Sequence, residues 1–399
     1  MSAGEGEAGN SSFKTLPWTA TGIIFLAHFV VDSQANFVAP LLPLLREKFG
    51  FSLAMAGLLI SLQSVGGSLT QPLAAVFTDR WPWMPWLAIG MVGSAIAFTA
   101  IGWVPSFVLV VIAIPLGAIF FALAHPDMAA RAGRLSSAHA SLIVSMFVTA
   151  GRLGFALGPL MAIAVADTLG MEWLWIYIVV SLVTWRLIVS GLPAPPRPGS
   201  GKKEKNVREG LLSTLMRVRG PILLLFGVAA ARSLAAANLG GFLPTIFVDE
   251  GLGLWRGGFA NTVFYVAGAT GVMVGGIFGD RTSKHTVIKT GMGIGLVGMV
   301  GFLVFPLTWA YVFLASAGMG LFMPMGVSVA LAQEYMPEHR GFASSFILGA
   351  GTFLAGLSSM PIAMLGQQVG LLNAFWVIPV FLVAGVACAI SLPKKENAG

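Results

Sequence analysis

Apolar runs, each long enough to cross a lipid bilayer as a single helix, recur along the whole of this chain. Trp86 to Val104 and Phe107 to Ala124 are two examples. An α-helix needs about 20 predominantly apolar residues to span the hydrocarbon core of a membrane. Only 10% of the residues are charged, which is too few to cover a water-facing surface. The sequence therefore predicts a helical protein embedded in a lipid bilayer.

Proline, glycine and charged residues divide these runs into two sets of predicted spans, with the first set at residues 18–44, 53–77, 84–104, 106–130, 139–166 and 171–192. The second set lies at residues 219–248, 256–278, 285–304, 307–333, 339–366 and 370–392. The predicted fold is an all-α membrane protein with twelve transmembrane helices in two six-helix halves. Its parts are a tail at 1–17, a half at 18–192, a linker at 193–218, a half at 219–392 and a tail at 393–399.

Lysine and arginine are distributed unequally between the two ends of the predicted spans. Arg46, Lys48 and Arg256 fall at one end, whereas the loops at the other end and the basic linker carry most of the remainder. Such residues accumulate on the cytoplasmic side of a membrane protein. We therefore predict a multi-pass protein of the inner cell membrane with both termini in the cytoplasm. Because the net charge of +7 arises in these short loops, nucleic acid is not an expected partner.

An Asp-Arg pair occurs in corresponding loops of the two predicted halves. Asp79-Arg80 and Asp280-Arg281 are 201 positions apart, and the same shift relates Gly117 to Gly318. These coincidences indicate a duplicated six-helix unit. Parallel six-helix repeats form one large class of secondary transporters, in which the substrate binds at mid-membrane between the halves.

The same charged pairs are the predicted gating residues of the loops, namely Asp79, Arg80, Asp280 and Arg281. An acid at a helix end, placed against a neighbouring span, can hold the halves in one state and release them in another. The alternative is that these charges are ordinary solvated loop residues.

Span 1 contains a polar segment within an otherwise apolar run. His28 and Asp32 are four residues apart, which places them on one helix face, and Gln34 and Asn36 follow. Ionisable groups inside a membrane are costly, so they usually face a cavity and mark a pathway. We predict that Asp32 carries a proton together with His28, and that Gln34 and Asn36 bind substrate. The alternative is a structural pair, or a position close to the outer membrane interface.

Further ionisable residues lie in spans 4, 5 and 7. Arg152 and Arg232 offer planar guanidinium groups, which suit carboxylate or phosphate, so we predict that they bind an anionic substrate. The alternative is that either arginine neutralises Asp32. His125 and Asp127 flank a proline late in span 4 and are further candidates for substrate binding or gating. Alternatively, they mark the cytoplasmic end of that span.

Motifs of enzymes and of ATP-driven machines are absent from the sequence. It contains no phosphate-binding loop, zinc-ligand cluster or nucleophile elbow. We therefore expect neither enzymatic activity nor a cofactor or bound metal.

Several of these motifs resemble those of the major facilitator superfamily. Ala75 to Arg80 is similar to the superfamily's signature between spans 2 and 3, and Gly276 to Arg281 is similar to its weaker copy between spans 8 and 9. Gly154, Gly158 and Pro159 in span 5 resemble a motif of exporters that exchange substrate for protons. The resemblance covers essentially the whole chain and implies alternating access, with these span 5 residues taking part in gating.

Within that superfamily the chain resembles the fosmidomycin-resistance branch. The similarity lies in His28 and Asp32, the Pro40 to Pro43 end of span 1, Gln71-Pro72, and His125 to Asp127. Members are implied to be proton-coupled drug exporters that confer antibiotic resistance, and fosmidomycin is a small anionic phosphonate. The arginine common in span 4 of proton-drug antiporters is missing, which leaves Asp32, alone or with His28, to carry the proton.

The leading hypothesis is therefore a monomeric, proton-coupled efflux antiporter of a small anionic drug or metabolite. An alternative keeps the fold but makes the chain a proton-coupled importer of a small organic anion such as a carboxylate. A further alternative is a receptor or assembly component that does not transport.

Overall fold

The computed structural model describes residues 17–81, 84–136, 140–192 and 210–393. Within these ranges the chain forms helices and no strand. The predicted tails at 1–17 and 393–399 lie almost entirely outside the described residues, and of the predicted linker at 193–218 only residues 210–218 are described. A short helix, Leu211–Arg217, occupies the end of the predicted linker.

The helices of the first half are Trp18–Ala35, Val38–Phe49, Leu53–Arg80, Trp86–Ala100, Phe107–Arg134, Ala140–Thr168 and Ile176–Gly191, with a 3-10 helix at Met171–Trp175. Those of the second half are Arg219–Asp249, Leu254–Arg281, Lys284–Val304, Ala310–Phe322, Pro324–Tyr335, Arg340–Ser345, Gly351–Val369, Leu371–Ala374 and Val377–Ile390. Short 3-10 helices occur at Leu307–Trp309 and Pro337–His339, and one π-helical turn occurs at Phe346–Ala350.

Eleven helical segments of the described chain are long and apolar enough to cross a membrane. The shorter apolar helix Trp86–Ala100 supplies span 3. The predicted all-α membrane fold is confirmed. The predicted end of span 1 is too early, because a second helix, Val38–Phe49, extends that span and takes Arg46 and Lys48 into its last turn.

Span 1 is broken at Asn36, beside a proline kink in span 5. Pro159 has no N–H and cannot donate to the carbonyl of Phe155, four residues earlier. The Asn36 side chain donates to that carbonyl instead, with an Nδ2···O distance of 2.7 Å. Backbone groups within a bilayer must find their partners inside the protein. The break and the kink therefore stabilise each other.

The second half also contains a proline that leaves a backbone carbonyl without its helical donor, and another residue bonds to that carbonyl. Pro244 in span 7 leaves the carbonyl of Gly240 without its helical donor. Asn261 in span 8 donates to this carbonyl at 2.7 Å, and its side chain is completely buried. Each half thus contains a proline kink whose free carbonyl is bonded by an asparagine of a neighbouring span.

Glycines bring span 5 into backbone contact with span 1. A Cβ at Gly154 would collide with the carbonyl oxygen of Phe29, and one at Gly158 would collide with that of Ser33. Small residues permit such close approach between membrane helices. Within this structure, the glycines of the predicted gating motif pack span 5 against span 1.

The two halves contact each other at the end of the molecule that carries Arg46. The Arg46 guanidinium is 3.3 Å from the Asp249 carboxylate, which joins the ends of spans 1 and 7. Trp255 donates its indole N–H to Asp167 at 2.9 Å, which joins spans 8 and 5. A third contact joins spans 8 and 5 deeper in the molecule, where the Thr262 hydroxyl donates to the Ala156 carbonyl at 2.7 Å.

Spans 2 and 11 also join the two halves. The Met360 N–H donates to the Ser61 hydroxyl at 3.2 Å, and a Cβ at Gly356 would lie 2.7 Å from the Cβ of Ser64. Further along span 2, Ser68 and Gln71 face a cavity. These contacts between the halves therefore lie toward the end that carries Arg46, and the cavity extends from them toward the end that carries the Asp-Arg loops. Under the predicted orientation, this is an inward-facing arrangement.

We predict that Gly158→Ala lowers the stability of the folded protein. The added Cβ meets backbone, which cannot move aside, and overpacking of this kind costs about 1–3 kcal/mol. The measurement is the midpoint of thermal unfolding in detergent. Gly293→Ala in span 9 is the matched control, because a Cβ there meets open space. Equal midpoints for the two variants would show that span 5 is not held by backbone contact.

Candidate functional site

A cavity of about 260 Å³ lies between the two halves. Both halves contribute polar side chains and aromatic rings to its wall. The polar side chains belong to Asn36, Gln63, Ser64, Ser68, Gln71, Tyr265 and Thr352. The rings belong to Phe98, Phe121, Phe155 and Tyr265. The wall is therefore uncharged, with hydrogen-bonding groups and apolar faces side by side.

Span 2 supplies most of the polar wall. Gln63, Ser64, Ser68 and Gln71 recur at helical spacing and lie on one face. Gln63 also donates to the carbonyl of Ala35 at the break in span 1. The predicted binding residues do not include this stripe. Its signal in the sequence is the spacing of polar residues by three and four within an apolar span.

The predicted proton-coupling pair lies beside a histidine from span 4. Nε2 of His125 is 3.1 Å from Oδ1 of Asp32, and Nε2 of His28 is 3.5 Å from Oδ2 of the same carboxylate. The Asp32 side chain is 11% exposed, and that of His28 is 9% exposed. Asp32 thus lies between two imidazoles in a nearly enclosed cluster.

The other nitrogen of each imidazole is bonded to a backbone carbonyl. Nδ1 of His28 is 2.7 Å from the Phe147 oxygen, and Nδ1 of His125 is 2.8 Å from the Phe121 oxygen. Since a carbonyl only accepts, each Nδ1 carries a hydrogen. A neutral imidazole with hydrogen on Nδ1 presents a lone pair at Nε2. A hydrogen bond between either Nε2 and Asp32 therefore requires an additional proton: on the ring, which then donates to the carboxylate, or on the carboxyl group, which then donates to Nε2.

Gly151 in span 5 makes room for this cluster. A Cβ at that position would lie 2.5 Å from Oδ2 of Asp32 and 2.7 Å from Nε2 of His28. The predicted site residues omit Gly151, because its role depends on the distance between spans 1 and 5. In the sequence it differs little from the many other glycines.

Both intramembrane arginines approach the same aromatic ring. Cζ of Arg152 is 5.6 Å from the centroid of Phe322, and Cζ of Arg232 is 5.9 Å from it. Arg152 also donates to the sulfur of Met325 at 3.2 Å, and Arg232 donates to the hydroxyl of Ser233 at 3.1 Å. The Phe322 ring therefore lies near one guanidinium group from each half of the molecule.

Neither guanidinium forms an ion pair with a carboxylate of the described chain. The ion pairs of Asp32 are with His28 and His125. Asp32 does lie against Gly151, the neighbour of Arg152 in the chain. A buried cation, Arg232, and a half-buried one, Arg152, thus share one aromatic contact without an ion pair to a carboxylate in the part of the chain that the structure describes.

Two of the predicted substrate-binding residues point away from the cavity. The Gln34 amide donates to the Ser181 hydroxyl at 2.8 Å, which directs it toward span 6. Asp127 pairs with Arg131 on the same helix, at 3.1 Å. Asn36 does line the cavity.

The predicted gating residues of the loops lie at helix ends. The Asp79 side chain is outside the described residues, and Arg80 lies over the ring of Trp81 at 5.4 Å. Asp280 and Arg281 are exposed where the span 8 helix ends. A Cβ at Gly276 would meet nothing within 4 Å. In this arrangement of the halves, the second Asp-Arg pair is therefore exposed, and no described part of a neighbouring span packs against the helix at Gly276.

The sequence model of the Major Facilitator Superfamily matches residues 24–360. The chain belongs to this superfamily. The fosmidomycin resistance protein of Escherichia coli (strain K12) is 24% identical over 402 residues, which cover 98% of this chain and 97% of that protein. A gallate transporter of Pseudomonas putida is 31% identical over 150 residues, which cover 36% of this chain and 33% of that protein.

A solved structure shares the same fold. The crystal structure of the nucleoside transporter NupG superimposes with a TM-score of 0.76 at 12% identity, covering 95% of this chain and 100% of that one. The predicted superfamily and the predicted resemblance to fosmidomycin resistance proteins are confirmed. As a major facilitator, the chain is a multi-pass secondary active transporter of small molecules that works by alternating access, and it is not an enzyme.

We predict that Gly151→Ala leaves the fold intact but changes the histidine-aspartate cluster. Its Cβ meets the ends of two side chains, which can move, whereas the Cβ of Gly158→Ala meets backbone. The expected result is a thermal midpoint near that of wild type, with shifted ¹⁵N signals of His28 in histidine-selective NMR. Gly293→Ala should shift neither. Unchanged His28 signals in Gly151→Ala would show that the cluster does not depend on this glycine.

Proposed function

We propose that the chain couples the movement of protons to the transport of a small anionic compound, and that it works as an efflux antiporter. Proton coupling is supported by the geometry of Asp32, His28 and His125. The Nδ1 atoms of the two histidines donate to backbone carbonyls, so the contacts of their Nε2 atoms with Asp32, at 3.1 and 3.5 Å, become hydrogen bonds only when a proton is added. In this proposal, Asp32 is the proton carrier and the two histidines share its proton.

The arginines support an anionic substrate. An uncompensated charge inside a membrane is costly, and Arg152 and Arg232 have no carboxylate partner among the described residues. An anion between them would supply that partner and would bridge the two halves. Tyr265 connects this region to the cavity, since its ring lines the cavity and lies 6.2 Å from that of Phe322. The anionic group binds at the arginines, and Asn36 contacts the rest of the molecule.

Efflux is proposed from the relatives and from span 5. The most extensive match among the relatives described above is named for resistance to fosmidomycin, and removal of a drug from the cell is one route to resistance. The span 5 residues Gly154, Gly158 and Pro159 resemble the motif of proton-exchanging exporters. In the proposed cycle, Asp79, Arg80, Asp280 and Arg281 act as gating residues at the cytoplasmic ends of the halves.

Import by symport is the second candidate, and it is supported by the position of Asp32 against Gly151, the neighbour of Arg152 in the chain. Protonation of that carboxylate would remove a nearby negative charge and so favour the binding of an anion at the guanidinium. A proton and an anion would then bind together, as a symporter requires. The similarity to a gallate transporter agrees with a carboxylate as cargo.

We predict that Asp32→Asn abolishes transport driven by a pH gradient but keeps substrate exchange at equal pH. The amide cannot take up and release a proton, whereas the substrate groups remain. The measurement is uptake of labelled fosmidomycin and gallate into proteoliposomes. Glu172→Gln, an exposed position, is the control.

The direction of the gradient distinguishes the two candidates in the same assay. Accumulation in an acidic lumen indicates antiport, and accumulation from an acidic exterior indicates symport. Gradient-driven uptake by Asp32→Asn at the wild-type rate would disprove the proton assignment.

We predict that Arg152→Gln and Arg232→Gln each weaken binding of an anionic probe by about tenfold or more. A hydrogen bond to a charged group is worth about 1.5–3 kcal/mol. The measurement is the Kd of fosmidomycin and of gallate by calorimetry on the purified protein. Arg186→Gln, exposed on span 6, should leave the Kd unchanged. If Arg152→Gln alters the pH dependence without changing the Kd, then this arginine balances Asp32 and does not bind substrate.

A further inference from the structure

Phe121 in span 4 contacts both the cavity and the histidine-aspartate cluster. Its side chain is part of the cavity wall. On its other side, its ring centroid is 4.3 Å from that of His125. Its carbonyl accepts the Nδ1–H of the same histidine at 2.8 Å. One residue therefore connects the space available to a ligand with the groups that hold protons.

The packing around Phe121 places it at a boundary. It packs against the large core that extends through both halves and also against a smaller core formed by residues such as Ile24, Val31 and Phe147. The smaller core adjoins the cluster, because Phe147 belongs to it and its ring stacks on His28 at 3.9 Å. Phe121 therefore lies at the boundary between the two apolar cores.

The cluster is adjacent to the cavity but does not form its wall. His28, Asp32 and His125 are not among the residues that line the cavity in the described chain. The exposed fraction of the side chain is 21% for His125, against 11% for Asp32 and 9% for His28. His125 is therefore the least enclosed member of the cluster, and its ring packs against Phe121, which lines the cavity.

We propose that Phe121 is a positioning residue that insulates the proton cluster from the cavity until a ligand displaces its ring. This inference rests on the proposed role of Asp32 as proton carrier. A phenyl ring neither donates nor accepts a proton, so it interrupts any chain of hydrogen bonds between cavity water and His125. A ligand that contacts the ring moves it and opens that route. Occupancy of the cavity and exchange of protons are thereby linked.

The charged and titratable groups around His125 are consistent with this role. Span 1 presents Asp32 and His28, whose ring lies 5.2 Å from that of His125. On its own helix, the neighbouring acid Asp127 is engaged by Arg131. Asp32 is thus the acid with which His125 exchanges a proton, and the phenyl ring controls access to that exchange.

The first test measures access to His125 in the protein without ligand. We expect Phe121→Ala to increase the rate at which diethyl pyrocarbonate modifies His125 severalfold, as located by mass spectrometry, with His285 as internal reference. Phe313→Ala is the matched control, since that ring is also half-buried and packs against Gly301 but does not line the cavity. Phe121→Val, which removes the ring but keeps an apolar side chain, replaces the alanine variant if that variant is unstable. An unchanged rate at His125 would overturn the proposed insulation.

The second test measures proton leak in proteoliposomes that contain a pH-sensitive dye and no substrate. We expect the leak to increase severalfold in Phe121→Ala, to stay at the wild-type level in Phe313→Ala, and to disappear again in Phe121→Ala/Asp32→Asn. No increase in leak, or a leak that persists in the double variant, would overturn the coupling role of Phe121. If Asp32 is not the proton carrier, the single variant Asp32→Asn keeps gradient-driven transport. That result distinguishes failure of the proposed role of Asp32 from failure of the proposed role of Phe121.

Discussion

Spans 1 and 5 lie with their backbones in contact, and the geometry of the candidate site follows from that closeness. Gly154 and Gly158 remove the side chains that would hold the two helices apart. At this separation the Asn36 amide reaches the carbonyl that Pro159 leaves free in span 5. Gly151, one turn away, provides the volume that the Asp32 carboxylate occupies. A wider spacing would leave a carbonyl unpaired inside the membrane, where that is costly.

The described part of the membrane domain contains few charges, and they form two groups with different chemistry. Asp32 is flanked by imidazoles, which can lose a proton near neutral pH. Arg152 and Arg232 cannot lose theirs under ordinary conditions and instead share the face of Phe322. The first group is suited to reversible charge, and the second to a fixed positive potential. Gly151 packs against Asp32 and precedes Arg152 in the chain, so the two groups are neighbours in the fold.

Much of the fold is predictable from the sequence, because the bilayer dictates the length of each span and the repeat dictates their grouping. The common helix face of His28 and Asp32 is also predictable, since it depends only on local geometry. The contact of Asp32 with His125 is not, because it joins residues 93 positions apart. It depends on how closely different helices approach, which apolar periodicity does not specify.

The directions of individual side chains also depend on how the helices pack and are not specified by apolar periodicity. Gln34 and Asn36 are two residues apart, yet one bonds to span 6 and the other borders the cavity. Residues two apart near a helix end already face different sides, but which of them meets the cavity depends on the neighbouring spans. The stripe on span 2 contains small polar residues and amides that also occur in ordinary helix packing, so its position beside the cavity becomes clear only when the helices are assembled.

The asparagine bonds at the two prolines have a mechanical consequence. Asn36 bonds to Phe155 within the first half, and Asn261 bonds to Gly240 within the second. A rocking motion of one half against the other would leave both bonds intact. The bonds that such a motion would have to break are those that join the halves, such as those of Asp249 with Arg46 and of Trp255 with Asp167. The halves can therefore separate at that end without any change at the prolines.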